Sequence, residues 1–337
     1  MKVLVTGATG HIGTVLVKAL KKRGDSVTAF VLPCADISRI SPYCDHILYG
    51  DVRDRDSITI ACKGIDVLFH SAGIIDISGT AKGRMMMRDI NVGGVKNVLE
   101  AVKKEHVSRL VYISSVHALP ERPQGEVIRE SRVFDIRSIR GAYAKSKAEG
   151  TRCVLEAVKA GCDAVIIHPS GIIGPDDYQM GHIASMMTRY LQGALSCFTS
   201  GGYNFVDVRD VADGILKAQE LGRSGESYIL AGEYHSVAEL FRLMKELSGS
   251  HKHLTCIPRW LALAVSPFAL LHYRLWHIKP LFSPYAISTL ASNSNFSSKK
   301  AETELHYHTR SFRQSIEDTI LWCQSVMKKH RHTKNQS

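Results

Sequence analysis

The chain is marked first by what it has little of. No stretch of its 337 residues reaches the ~20 consecutive apolar positions of a membrane-spanning helix, so no transmembrane segment is expected. The opening apolar run, Val3-Leu4-Val5, is too short for a secretory leader, and Gly7 interrupts it at once. Proline is sparse and no internal repeat or low-complexity segment stands out, which leaves one large globular domain or two interleaved ones. Cysteine pairs are missing too. Cys34, Cys44, Cys62, Cys153, Cys162, Cys197, Cys256 and Cys323 are scattered, with no CxxC among them. Without an export signal they read as free thiols, and the expected location is the reducing cytoplasm.

Acidic charge is in deficit. The net charge is +11, and part of the excess lies in the run Lys328-Lys329-His330-Arg331. No aromatic-and-basic module accompanies that run. No nucleic-acid partner is therefore expected, and 326–337 reads as a basic, flexible tail. The sixteen histidines are dispersed, without a matching acidic or cysteine set, so no metal site is expected.

What is present is an alternation. Strand-like runs occupy Val27–Leu32, His46–Tyr49, Val67–His70, Leu110–Ile113 and Ala164–His168. Helical patterns lie between them at Thr14–Arg23, Arg55–Cys62, Met85–Lys104 and Ala142–Ala160. This predicts an α/β fold: a Rossmann-like, doubly wound parallel sheet with helices on both faces. Residues 1–169 form the expected dinucleotide-binding domain. After Pro169 the pattern loosens. Residues 170–202 and 233–325 read as a smaller, mostly helical substrate-binding part, with 203–232 returning to the main sheet.

The first thirteen residues carry the strongest local signal. An apolar strand runs into Gly7-Ala8-Thr9-Gly10-His11-Ile12-Gly13, and an amphipathic helix follows. Gly7 suits a tight turn, Gly10 the approach of a pyrophosphate, and Gly13 close helix–strand packing. The helix N-terminus then faces the phosphates with free N–H groups.

A second anchor is Tyr143-Ala144-Lys145-Ser146-Lys147. Positions 143 and 147 share one helix face, so both side chains can enter one cleft. A nearby ammonium is expected to lower the tyrosine pKa and fit it for proton transfer. Upstream, Ser114-Ser115 ends a buried strand, where ligands of open α/β sheets bind. Ser114 reads as a structural cap, whereas Ser115 is placed to hydrogen-bond a substrate oxygen.

In this order the motifs resemble the extended short-chain dehydrogenase/reductases over nearly the whole chain. Gly50-Asp51-Val52-Arg53-Asp54 is similar to the segment that sets an Asp on the adenine. His70-Ser71-Ala72-Gly73 is similar to the strand end that lines the cofactor. Asn91 opens a segment that resembles the central helix, and His168-Pro169-Ser170-Gly171 resembles the loop beside the nicotinamide. The resemblance implies a cofactor, NAD or NADP, held by Gly7, Thr9, Gly10, His11, Ile12, Gly13, Leu32, Arg39, Asp51, Val52, Ser71, Ala72, Gly73, Asn91, Tyr143, Lys147, His168, Pro169, Ser170 and Gly171. It implies Ser115, Tyr143 and Lys147 as the catalytic residues, with Tyr143 moving the proton while hydride passes to or from the nicotinamide. Members of that family are frequently dimers, so a homodimer is one candidate assembly.

The resemblance covers redox enzymes and nucleotide-sugar epimerases or dehydratases alike. Sugar enzymes usually carry an Arg where this chain has Tyr203-Asn204-Phe205. They also tend to carry an Asn in the loop that here reads Pro169-Ser170-Gly171-Ile172. The apolar stretch 258–281 suits an apolar ligand, though a core or dimer helix fits it as well, and Pro267 speaks against membrane contact. The closest look is to the dihydroflavonol 4-reductase and 3β-hydroxysteroid dehydrogenase group. Ketone/alcohol redox on a bulky apolar substrate is the expectation, sugar-nucleotide epimerisation the alternative, and a non-catalytic cofactor-binding regulator a third reading. For cofactor choice the residues after the second strand, Val31-Leu32-Pro33, offer neither acid nor base. Asp36 and Arg39 nearby carry opposite signs, so NAD and NADP stay equally open.

Overall fold

Buried apolar runs separated by amphipathic segments settle the architecture. β1 (Lys2–Thr6) leads through the glycine turn into α1 (His11–Arg23). Next come β2 (Ser26–Val31), β3 (His46–Tyr49), α2 (Arg55–Ala61), β4 (Val67–His70), α3 (Ala81–Arg88), α4 (Val95–Lys104), β5 (Arg109–Ile113), α5 (Ala142–Lys159) and β6 (Ala164–Pro169). The second half runs β7 (Gly171–Ile173), α6 (His182–Gln192), β8 (Cys197–Thr199), β9 (Gly202–Asp207), α7 (Val208–Leu221) and β10 (Ser227–Leu230). β11 (Glu233–Ser236), α8 (Val237–Ser248), β12 (Thr255–Ile257), α9 (Arg259–Leu275), α10 (Pro284–Leu290), α11 (Lys299–Leu305) and α12 (Phe312–Lys334) complete it. The computed structural model describes residues 1–76, 79–250, 252–275 and 283–334.

The main sheet has the order β10-β6-β5-β4-β1-β2-β3, and every pair in it is parallel. β1 sits between β2 and β4, so the strand order reverses beside it. Such a switch point opens a crevice outside the strands' carboxyl ends. β4 and β6 are buried along their whole length, as strands covered on both faces must be. Side chains alternate between two cores: Val3 and Val5 join one, and Leu4 the other. The expected return of 203–232 to this sheet is made by β10 alone. β9 instead pairs with β7 in parallel and β11 in antiparallel, forming a three-stranded sheet.

Three further expectations change. The helix predicted over 85–104 begins at Ala81, capped by the Thr80 hydroxyl, and widens into a π turn at Asp89–Gly94 before α4. Gly94 is required there, because a Cβ would lie 2.8 Å from Val52 Cγ2. α9 runs through Pro267 and, over its described side chains, buries the small Ala262 and Ser266 while leaving Trp260 71% and Phe268 73% exposed, so its described large apolar side chains do not enter the core. Its residues 276–282 lie outside the described ones. α12 continues to Lys334 through most of the expected flexible tail, since no Gly or Pro interrupts the chain from Phe312 onward. The last three residues lie outside the described ones. Among the described residues, no helix is long and apolar enough to cross a membrane, and no cluster of His, Cys, Asp or Glu is arranged to hold a metal. The eight cysteines are unbridged.

Candidate active site

The crevice is built from the carboxyl ends of β1, β3, β4, β5 and β6. At its centre, Gly7 has φ +68°, and a Cβ on it would sit 2.7 Å from Ala72 N. A Cβ on Gly13 would lie 2.1 Å from Gly7 O, so turn and helix touch backbone to backbone. At Gly10, by contrast, an added Cβ would meet only Gly7 O, at 3.2 Å, and otherwise faces open space. α1 starts at Gly10 with no side-chain cap and no acid in its first turn, and its basic residues Lys21, Lys22 and Arg23 stand at the far end. An uncapped helix start with open space in front of a glycine fits a pyrophosphate.

Neighbouring strand ends are tied to this turn. Thr6 Oγ1 lies 2.7 Å from His70 Nδ1 and accepts a hydrogen bond from Ala72 N at 3.3 Å. That link sets Ser71, Ala72 and Gly73 beside the glycines. His11 Nε2 lies 2.9 Å from Pro175 O, and Gln179 Nε2 donates to Thr9 O at 3.4 Å, so the segment after β7 crosses over the turn. Ile12 packs partly buried beneath it. Asp51, at the end of β3, is gripped by Arg53, which holds its carboxyl below the usual range. Val52 O accepts from Asn97 Nδ2 at 2.9 Å, an anchor the sequence reading overlooked. Leu32 is 49% exposed at the β2 end. Arg39 stacks its guanidinium 4.7 Å over the Tyr178 ring, and Asp36 turns its carboxylate back to Ser38 N.

At the catalytic end, strand alternation separates the two serines. Ser114 Oγ lies 2.7 Å from Thr151 Oγ1 inside the protein, as expected of a structural cap. Ser115 caps the short turn 116–118 by accepting from His117 N, and its hydroxyl favours the ionised form of Tyr143. Tyr143 and Lys147 come from the same face of α5, both nearly buried. Lys147 Nζ donates to Ile113 O at 2.9 Å, and a Cβ on Gly73 would stand 3.1 Å from it. Burial disfavours the charged form of each group. It pushes the Tyr143 phenol up to about 12, against the opposing pull of the Ser115 hydroxyl, and the Lys147 ammonium down to about 8. The lowered tyrosine pKa expected from the sequence is therefore not found: desolvation raises it, and the Lys147 ammonium gives its hydrogen bond to Ile113 O.

The remaining residues serve as braces. Asn91 accepts from Ile74 N and donates to Ile74 O and Ser146 Oγ, pinning the loop after Gly73 to α5. His168 Nδ1 lies 2.9 Å from Ser115 O, and burial pulls its pKa down to about 4, so it stays neutral. Pro169 ends β6, and the Ser170 hydroxyl beyond it is buried with no partner among the described residues. That orphaned hydroxyl, next to Gly171 at the end of β6, leaves hydrogen-bonding capacity where the resemblance puts a nicotinamide.

Tyr143 also borders a cavity of about 270 Å³. Leu195, Phe198, Leu240, Phe241 and Ile287 line it, with Gly171 and Tyr203 near the tyrosine. This apolar lining comes from α6, α8, α10 and the β8 region. None of the described α9 side chains contributes; the sequence left 258–281 open between substrate pocket, core and dimer helix. His117 was not foreseen at all. Its ring lies 5.8 Å from the Tyr143 ring, and its Nε2 is 2.9 Å from Tyr203 Oη. Burial draws its pKa down to about 4. Its only signal in the chain is its place two residues after Ser115.

Known proteins resemble this chain over most of its length. The model of the NAD dependent epimerase/dehydratase family matches residues 3–231. Sterol demethylase protein B of Methylococcus capsulatus is 31% identical over 96% of this chain and 98% of its own. A putative dihydroflavonol 4-reductase of Synechocystis is 30% identical over 98% of this chain and 96% of its own. The crystal structure of gox2253 superposes with a TM-score of 0.82 at 30% identity, covering 96% of this chain and 98% of that one. Glycine turn, Ser-Tyr-Lys cluster and full-length similarity lead to one assignment: the chain belongs to the NAD-dependent epimerase/dehydratase family of extended short-chain dehydrogenase/reductases.

Proposed function

We propose that the protein is a nicotinamide-dependent oxidoreductase that interconverts a ketone and a secondary alcohol on a bulky, largely apolar substrate. The observation that carries this reading is the cavity bordered by Tyr143, whose walls are aliphatic and aromatic side chains. A carbonyl or hydroxyl is the one polar group such a cavity needs to orient, and Tyr143 with Ser115 meets it there. The diphosphate of a sugar nucleotide would find Tyr203 where an arginine is wanted. Relatives named for sterol and flavonol chemistry support the same reading.

The residues divide the work. Gly7, Gly10 and the start of α1 hold the dinucleotide's phosphates, and Lys147 and Ser170 hold its nicotinamide half. When bound, the nicotinamide supplies or receives the hydride. Ser115 orients the substrate oxygen by a hydrogen bond. Tyr143, protonated at neutral pH, delivers its proton to that oxygen during reduction and takes it back during oxidation. Asn91, fixed to Ile74 and Ser146, keeps α5 and the loop after β4 in register.

The test is a substrate panel with purified protein. Neutral sterol-like or flavonol-like ketones should consume the reduced cofactor, and UDP- or dTDP-sugars should neither change its absorbance nor be converted to an epimer. Conversion of the sugars alone would replace this reading with the epimerase one. The pH profile offers a second check. Lys147 is cationic below about 8 and neutral above it. Its charge favours the anion left on Tyr143 after proton transfer, so kcat/KM for reduction should fall as pH rises through about 8. Tyr143 itself stays protonated in that range. Lys147→Arg keeps its charge and should lose the limb in its residual activity; an unchanged limb would assign it to another group.

A further inference from the structure

A second cavity, of about 600 Å³, lies on the other side of the aromatic group formed by His117, Tyr203 and Tyr285. It has a different character from the first. Three guanidinium groups border it: Arg122 and Arg140 from the long β5–α5 connection, and Arg259 from the start of α9. None of the three makes an ion pair or a side-chain hydrogen bond among the described residues. Arg23, Arg53, Arg109, Arg209 and Arg310, by contrast, each hold a carboxylate. One acid, Glu121, faces the same space, which leaves an excess of two positive charges.

The walls are built rather than incidental. Asn293 Nδ2 donates to Pro123 O and Glu126 O at 2.7 Å, and Gln124 Nε2 donates to Ala291 O at 2.8 Å. Ile128 and Phe296 form a backbone bridge. These bonds stitch the β5–α5 connection to the segment after α10. Val116, Leu119, Ile128 and Phe296 add an apolar floor.

We propose that this cavity is a binding site, separate from the cofactor crevice, for an organic anion: a carboxylate or phosphate on an apolar body. Three guanidinium forks without carboxylate partners supply the charge-assisted, bidentate hydrogen bonds that such a group takes. The apolar floor accepts its body. His117, Tyr203 and Tyr285 also border the Tyr143 cavity, so the ligand would rest against the wall of the catalytic cavity.

The experiment titrates holoprotein, saturated with cofactor so that the glycine turn is filled. Decanoate, decanol and inorganic phosphate are the probes, measured by calorimetry at two salt concentrations. Decanoate should bind, and more weakly at high salt. Arg140→Gln and Arg259→Gln should each weaken it about tenfold or more, as loss of a hydrogen bond to a charged group does, and leave decanol unchanged. Phosphate binding lost in the same variants would mark the anion alone as sufficient; decanoate binding without phosphate binding would mark an organic acid. Absence of binding by both anions, or decanoate binding indifferent to the substitutions, would overturn the proposal. The arginines are exposed and lie outside the catalytic cluster, so turnover of a neutral ketone by the same variants tests the catalytic reading separately.

Discussion

Tyr143→Phe is expected to lower kcat/KM for ketone reduction about a thousandfold, within the ~10²–10⁴ range that a positioned general acid supplies. The ring remains, so its packing beside His117 and within α5 is kept. Only the hydroxyl is lost, and with it the one group able to give a proton to the substrate oxygen. Ser115 still binds that oxygen but, as an ordinary alcohol, donates no proton at neutral pH. The dinucleotide's dissociation constant should stay within about a factor of three, since the lost group transfers a proton rather than binding the phosphates. Steady-state consumption of the reduced cofactor and a fluorescence titration of binding check the two halves. Turnover at the wild-type rate would remove Tyr143 from the chemistry, and a parallel collapse of binding would make it a structural residue.

Gly13→Ala is expected to damage cofactor binding and stability together, whereas Gly10→Ala should damage binding alone. The added methyl at 13 would stand 2.1 Å from Gly7 O and 2.7 Å from Ala8 Cα. Both are backbone atoms, so relief requires the turn to move. Overpacking of this kind costs about 1–3 kcal/mol, or several degrees of Tm in a domain of this size. At position 10 the methyl meets only Gly7 O, at 3.2 Å, and projects into the space kept for the phosphates. Its Tm should stay near wild type while the cofactor Kd rises about tenfold or more, the loss expected when a phosphate can no longer reach the backbone N–H groups. Thermal melts of the apoprotein and titrations with both cofactors separate the two variants. Equal melting losses at both positions would show that Gly10 is a packing glycine like Gly13.

Much of the site was legible because local periodicity sufficed. Tyr143 and Lys147 fall on one face of any helix, and no tertiary information is needed to bring them together. Ser114 and Ser115 must point to opposite sides of an extended strand, so only one can reach the crevice. The glycine turn is legible for the same local reason: a strand entering a helix through Gly7, Gly10 and Gly13 has few other uses. Protonation states were not legible. The sequence puts an ammonium near a phenol and predicts a lowered pKa, but desolvation depends on how much of the fold covers both groups. Here it dominates, so Tyr143 rises to about 12 and Lys147 falls to about 8.

By itself, then, the sequence determined the alternation that makes a parallel sheet, the glycine turn at a helix start and the shared helix face of Tyr143 and Lys147, because each follows from side-chain spacing along the chain, whereas Ser115 joined them through the family resemblance. Only the tertiary structure decided what surrounds them. The cavity at Tyr143 draws its walls from α6, α8, α10 and the β8 region, segments with no common motif and up to about a hundred residues apart. His117 meets Tyr203 across 86 positions of the chain. Arg122, Arg140 and Arg259 converge only when the β5–α5 connection is stitched to the segment after α10. Such encounters depend on how elements pack against one another, and packing between distant segments leaves no periodicity in the chain to read.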